Sequence, residues 1–165
     1  MIRSKRVSDL STLNLEPLIR ESLAEGFTFL LRLRDEWLSG ANRFDQPGEA
    51  LFVVEQDGEL VGIGGLNRHP YNAASRGGRI RRLYIAKSHR RRGIGKALVS
   101  KLIETAMGQF SHLSVKTDNP DADSFYQALG FQRVAIVHST HTLKLETGLT
   151  DNHRGNKGLA TPGAL

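Results

Sequence analysis

The chain has 165 residues and no cysteine, which excludes disulfides, thiolate metal sites and a cysteine nucleophile together. With 39% hydrophobic and 24% charged residues it reads as one globular domain, and no apolar run approaches the ~20 residues that a bilayer span needs. The net charge of +6 is unevenly spread: residues 76–101 hold ten Lys or Arg and no acid, whereas residues 16–60 hold ten of the seventeen acids. A basic pole suits an anionic ligand and an acidic pole a cationic one. The N-terminal MIRSKRVSDL has no apolar h-region, so a cytoplasmic protein is expected.

Ile2–Val7 is a weak candidate strand. Leu10–Glu25 has helical spacing, with Leu10, Leu13, Leu18 and Leu23 among polar residues, and Gly26 breaks it. Phe27–Leu38 resumes the pattern and Gly40 stops it. Ala50–Gln56 and Leu60–Leu66 flank Asp57-Gly58, a two-residue hairpin signal. Gly62, Gly64 and Gly65 leave the second of these strands bare. Asn67–Gly78 is polar and reads as a loop. Arg79–Ala86 is the next strand, followed by a basic turn and by a helix that opens at Gly93 and places Ile94, Leu98, Leu102 and Ala106 on one face.

His112–Thr117 is a further strand. Asn119-Pro120 supplies a helix cap and a first-turn proline, Asp121–Leu129 is the helix, and Gly130 its stop. Phe131–His138 and His141–Glu146 are the final strands. Residues 147–165 are poor in apolar side chains and are expected to form a disordered tail after a domain of residues 1–146.

The basic turn is a phosphate site by its chemistry. A helix N-terminus offers unpaired N–H groups and a positive dipole end, and glycine lets a ligand approach the backbone. It is not a P-loop, since Gly95-Lys96 is followed by Ala97 rather than Ser or Thr. Nor is it a dinucleotide fingerprint, because the third glycine would fall at Leu98. What stands there is Arg90-Arg91-Arg92-Gly93-Ile94-Gly95, of the form Arg-x-x-Gly-x-Gly, after a strand and opening a helix.

That motif resembles the acetyl-CoA-binding turn of the GNAT acetyltransferase superfamily. Asn119 to Phe131, with Phe125-Tyr126-x-x-Leu129-Gly130-Phe131, is similar to the family's later motif, and the element order over residues 2–146 is that of its fold. The resemblance implies an α/β fold with a mixed, mostly antiparallel sheet flanked by helices and splayed at its central strands. It implies an N-acetyltransferase that moves an acetyl group from acetyl-CoA to a primary amine, without a metal. The pantetheine arm would pair with the backbone of Leu83, Tyr84 and Ile85. The pyrophosphate would lie on the N–H groups of Arg91, Arg92, Gly93, Ile94, Gly95 and Lys96, with Arg90 leading the motif. Asn119 and Phe125 would line the cofactor, and Tyr126 would be the general acid for the leaving thiolate. Dimers are common in the family, so a homodimer is compatible with the resemblance.

The central strand carries Arg79, Arg81 and Arg82 where many relatives keep a glutamate base, and no base is assigned. Glu21, Glu25, Glu36 and His69 are candidates to reach the acceptor side, although each of the acids reads first as a solvated surface charge. The acidic first two helices favour a cationic acceptor. Trp37 reads as helix packing or as part of an acceptor wall, and Asn42, Arg43 and Phe44 as a border of that site. His138 and His141 have no third ligand nearby, so no metal site is expected. Two other classes stay open: an acyl-CoA sensor without turnover, and a basic nucleic-acid-binding module. The second is disfavoured because the aromatics are not interleaved with the basic residues.

Overall fold

The computed structural model describes residues 1–71 and 75–146. Seven strands form one sheet: β1 (Ile2–Arg6), β2 (Ala50–Gln56), β3 (Glu59–Arg68), β4 (Gly77–Ile85), β5 (His112–Val115), β6 (Gln132–Ile136) and β7 (Ser139–Lys144). Their order is β1-β2-β3-β4-β5-β7-β6. Every neighbouring pair is antiparallel except β4 and β5. Four helices accompany the sheet: α1 (Glu16–Ala24), α2 (Phe29–Ser39), α3 (Ile94–Ala106) and α4 (Pro120–Ala128). This is the mixed, mostly antiparallel α/β architecture that the sequence implied. The expected tail, residues 147–165, lies outside the described residues.

Several boundaries move, each for a local reason. The single helix expected over Leu10–Glu25 is a 3-10 turn at Leu10–Thr12 and then α1. Asp9 caps the turn by accepting from the Ser11 N–H, and Pro17, which cannot sit in a helix interior, lies in the first turn of α1. The expected loop Asn67–Gly78 is shorter, because β3 runs on to Arg68 and β4 begins at Gly77. Gly78 pairs with Arg68 across that extension. At Gly130 the expectation holds: its φ of 95° closes α4, with the Phe131 N–H on the Tyr126 carbonyl and the Gly130 N–H on that of Gln127.

The core forms against β3, where the bare glycines matter. Ile94, Leu98, Val99, Leu102 and Ala106 of α3 are buried, as their spacing predicts. A side chain on Gly64 would meet Leu98 and Leu102 at 3.3 and 3.4 Å, so its absence lets the helix sit close to the sheet. Full burial of each of these leucines stabilises the fold by about 1.5–3 kcal/mol relative to exposure. On the other face Phe44, itself at a φ of 52°, lays its ring across Gly65.

The β3–β4 register shifts between Ile63, opposite Tyr84, and Gly65, opposite Arg81. Two steps on β3 therefore face three on β4, a bulge, and Arg82 within it has a φ of 59°. Beyond this bulge the Tyr84 hydroxyl reaches Glu21 of α1. Gly65→Ala would place a methyl inside the Phe44 ring, and we expect a loss of about 1–3 kcal/mol in urea denaturation with an unchanged m-value.

Candidate active site

Three pieces converge at the C-terminal end of β4. The strand end is Leu83–Ile85, the turn Arg90–Lys96 leads into α3, and α4 closes from the side. Gly95 lies against both neighbours: a Cβ there would meet the Phe125 ring at 3.4 Å and Ile85 at 3.6 Å. Gly95, Phe125 and Ile85 are thus brought to one place, although Gly95 and Phe125 come from two motifs about thirty residues apart.

The turn has the shape an anion requires. Arg91 and Gly93 have φ values of 61° and 80°, and alternation of this kind turns successive N–H groups toward one concavity. Among the described residues no acceptor meets the N–H groups of residues 91–96, while the Ala97 N–H already bonds the Gly93 carbonyl. Nothing lies within 4 Å of a Cβ built on Gly93, so the concavity is open. The side chains of Arg91, Arg92 and Lys96 are exposed and make no ion pair among the described residues. A pyrophosphate fits this donor set.

Arg90 does something different. Its Nε donates to the Ile85 carbonyl at 2.9 Å, and its two terminal nitrogens grip Glu25 at 2.9 and 2.8 Å. Its guanidinium also lies 5.3 Å from the centre of the Tyr84 ring. The Tyr84 hydroxyl donates to Glu21 at 3.0 Å and to Glu25. Arg90 therefore ties the basic turn to α1 and to the strand end by its side chain.

Glu21, Glu25 and Glu36 were candidate bases, and all three are engaged. Glu21 also accepts from the Lys87 N–H at 3.3 Å, and Glu36 pairs with Arg82 at 2.8 Å. Burial and the two carboxylates push the Tyr84 hydroxyl far above its ordinary range, so it stays protonated. His69 is held below the usual imidazole range by burial and by the nearby Arg79, so it is neutral at pH 7. However, it follows Arg68, which pairs with Gly78, six residues from Tyr84 on β4. At ~3.3 Å per residue this is about 20 Å from the strand end, too far to act there directly.

Tyr126 is buried on α4. Its ring meets Phe125 and Phe131 edge-on at 5.1 and 5.3 Å and lies 5.8 Å from His141. Burial raises the pKa of its hydroxyl, which favours the protonated form that an acid must have. Its hydroxyl has no hydrogen-bond partner among the described residues. Sequence reading missed what orients α4: buried His141 reaches Asp123 through Nε2 at 2.7 Å and Thr140 through Nδ1 at 2.9 Å. Both ring nitrogens are thereby used. Asn119 caps α4, its Oδ1 accepting from the Asp121 N–H at 3.0 Å.

Trp37 is packing: it is buried on α2 and lines a pocket of about 300 Å³ with Leu13, Ile19 and Leu38. That pocket lies at the Glu16 end of α1, the end away from Glu25 and Arg90.

Arg90 beside Glu25, with help from the Tyr84 hydroxyl, holds the Glu25 carboxyl below the usual carboxylate range. A folded-state pKa below the unfolded one stabilises above the unfolded value and is lost as pH falls through the folded one. We therefore expect the stability advantage of wild type over Glu25→Gln to shrink as pH falls from about 5 to about 3, measured by urea denaturation at each pH.

Comparison with known proteins identifies the family. The model of the acetyltransferase (GNAT) family matches residues 16–131. The chain is 32% identical over 108 residues to the N-alpha-acetyltransferase RimI of Mycobacterium tuberculosis, covering 62% of this chain and 65% of that protein, just under two thirds of its length. It is 33% identical over 109 residues to an aminoglycoside N(6')-acetyltransferase type 1 of Klebsiella aerogenes, covering 62% of this chain and 70% of the relative. A crystal structure from Exiguobacterium sp. 255-15, ascribed to the acetyltransferases, superposes with a TM-score of 0.80 at 34% identity, covering 87% of this chain and 93% of that one. With its phosphate-shaped turn, its sheet order and the family match from α1 through Phe131, the chain belongs to the acetyltransferase (GNAT) family.

Proposed function

We propose that this protein transfers an acetyl group from acetyl-CoA to a primary amine by direct attack, with Tyr126 as general acid. The observation that carries the reading is the open concavity of N–H groups at residues 91–96, set beside the end of β4 and flanked by Phe125. Acetyl-CoA supplies an activated thioester, and the amine forms the new C–N bond as the C–S bond breaks.

The residues divide that work. The N–H groups of Arg91 to Lys96 hold the pyrophosphate at the N-terminus of α3, where the dipole favours negative charge. Phe125 and Asn119 line the same side. The backbone of Leu83, Tyr84 and Ile85 borders the reacting group. β4 pairs with β5 only through Gly77–Arg79, against His112–Ser114, and we infer that the strands part beyond that point. A pantetheine arm would then use the edge of β4, and a strand N–H would polarise the thioester carbonyl. Arg90 and Glu25 keep the turn in register with that edge.

Tyr126 gives its proton to the departing sulfur, and the proton that the amine sheds on becoming an amide leaves through solvent, from which Tyr126 is reprotonated. A phenol with a raised pKa is protonated at pH 7, and a thiolate is basic enough to benefit. The α4 helix that carries it is fixed by the Asp123–His141 pair and by the Phe131 turn.

Thermal unfolding with acetyl-CoA, followed by a thiol-release assay over a panel of amines, tests the reading. We expect acetyl-CoA to raise the Tm. Tyr126→Phe is expected to keep that stabilisation and to lose about 100-fold or more in kcat. Unchanged turnover in Tyr126→Phe would remove its role as acid, and an unmoved Tm in wild type would remove the acetyl-transfer reading.

A further inference from the structure

We propose that the acceptor amine also carries a carboxylate, as a free amino acid does, and that Arg81 binds that carboxylate. This rests on the acetyl-transfer reading and names the second substrate of the same site.

The two faces of β4 are unlike. Ile80 is buried and Leu83 lies with Leu98 and Leu102 around Gly64, so the face toward α3 is filled by apolar side chains. The acceptor is left the opposite face, toward α1 and α2. There Arg79 and Arg81 alternate along the strand beside Asn67 and Gly65, their cross-strand partners, and Arg82 joins them through the bulge.

Two of these guanidinium groups are already occupied. Arg79 is buried, donates to the His138 carbonyl at 2.6 Å and lies 5.4 Å from the centre of the Tyr71 ring. Arg82 has Glu36 at 2.8 Å. Arg81 is half-buried and, among the described residues, has no carboxylate within salt-bridge distance. Among the described residues its one side-chain hydrogen bond is to the Asn67 Oδ1 at 3.5 Å.

Asn67 cannot turn away. Its Nδ2 donates to Glu49 at 2.9 Å and to Asn42 at 3.0 Å, and a carboxylate can only accept, so the amide oxygen must face Asn42 and Arg81. The fold thus aims a guanidinium and leaves it without a counter-ion. Arg79, Arg81 and Arg82 share this face with Glu36, which pairs with Arg82, and with Glu49, which is held by Asn67 and the Arg68 N–H, and a half-buried charge without a salt bridge of its own is costly until an anion arrives. Burial and the neighbouring Arg82 push its pKa down, Glu36 offsets part of this, Arg79 adds to it, and an arginine stays charged. Ser114, paired with Arg79 on β5, adds a buried hydroxyl with no partner among the described residues.

The acids that would attract a cationic acceptor are spent. Glu21 and Glu25 hold Tyr84 and Arg90, and Glu36 holds Arg82. The three acids of α1, its C-cap and α2 that were candidates to face the acceptor are therefore engaged by Tyr84, Arg90 and Arg82. Arg81 lies two residues before Leu83, about 7 Å along the strand. A guanidinium at that range can grip a carboxylate while the attached amine meets the thioester.

The test compares L-amino acids with the matching amino-acid amides as acceptors in thiol release from acetyl-CoA, with spermidine and an aminoglycoside as cationic competitors. The expected result is at least a tenfold advantage in kcat/KM, roughly the worth of one charged hydrogen-bonded pair, for an amino acid over its amide. Arg81→Gln should erase that advantage by raising KM for the amino acid alone, with KM for acetyl-CoA unmoved, and Arg81→Lys should restore part of it. Titration of the CoA-loaded wild type with the same amino acids gives a readout without turnover: binding that Arg81→Gln abolishes supports the proposal, and no binding overturns it. Equal rates with acid and amide, a preference for spermidine or the aminoglycoside, or a selectivity that survives in Arg81→Gln would also overturn it. The wild-type ratio needs no folded variant. Thiol release that ignores the carboxylate would sink this proposal alone, whereas no stabilisation by acetyl-CoA would sink the transfer reading beneath it.

Discussion

A parallel pair of strands cannot be closed by a hairpin, so β4 and β5 must be joined by a crossover, and α3 is the crossover element. A helix that returns in this way begins where the first strand ends. Its free N–H groups and positive dipole end therefore stand beside the last residues of β4, Leu83–Ile85. The anion site follows from the connectivity. Gly93 and Arg91 then shape it by taking left-handed backbone conformations, which turn the N–H groups of the turn inward.

The same strand end has to be held at the right depth, and a polar junction does this. Arg90 reaches back to the Ile85 carbonyl and forward to Glu25, while Tyr84 bridges Glu25 and Glu21 from below. An ion pair with this much solvent around it contributes little to stability. Its value is positional: turn, strand and first helix share one set of hydrogen bonds. Farther back on β4, Glu49 fixes Asn67, Asn67 faces Arg81, and Glu36 holds Arg82. Charge on this part of the sheet is consequently assigned residue by residue, and Arg81 is the one left over.

Much of this was legible beforehand where short-range chemistry sets the outcome. The Asp57-Gly58 hairpin, the apolar face of α3, the cap at Asn119 and the left-handed stop at Gly130 each depend on neighbours within a few residues. The bare glycines of β3 were visible too, but their purpose was not: only the packed structure shows α3 against Gly64 and Phe44 across Gly65. The helix expected from Leu10 failed at its start because Pro17 and the Asp9 cap outweigh leucine spacing. The Asp123–His141 pair, which steadies the helix of Tyr126, joins residues eighteen apart with no shared motif.

Sequence by itself determined the elements, the phosphate character of the turn and the family resemblance, because backbone conformation and capping are local properties of residue type. It could not determine which charges are free. Ten acids in residues 16–60 read as an acidic pole, yet Glu21, Glu25 and Glu36 are bound to Tyr84, Arg90 and Arg82, some 46 to 65 positions away. Coulomb partners are chosen by distance in space, and the sheet register and the bulge at Arg82 set those distances. Tertiary structure alone therefore decided that, among the described residues, Arg81 on this face of the strand has no carboxylate within salt-bridge distance, while Glu36 is taken by Arg82.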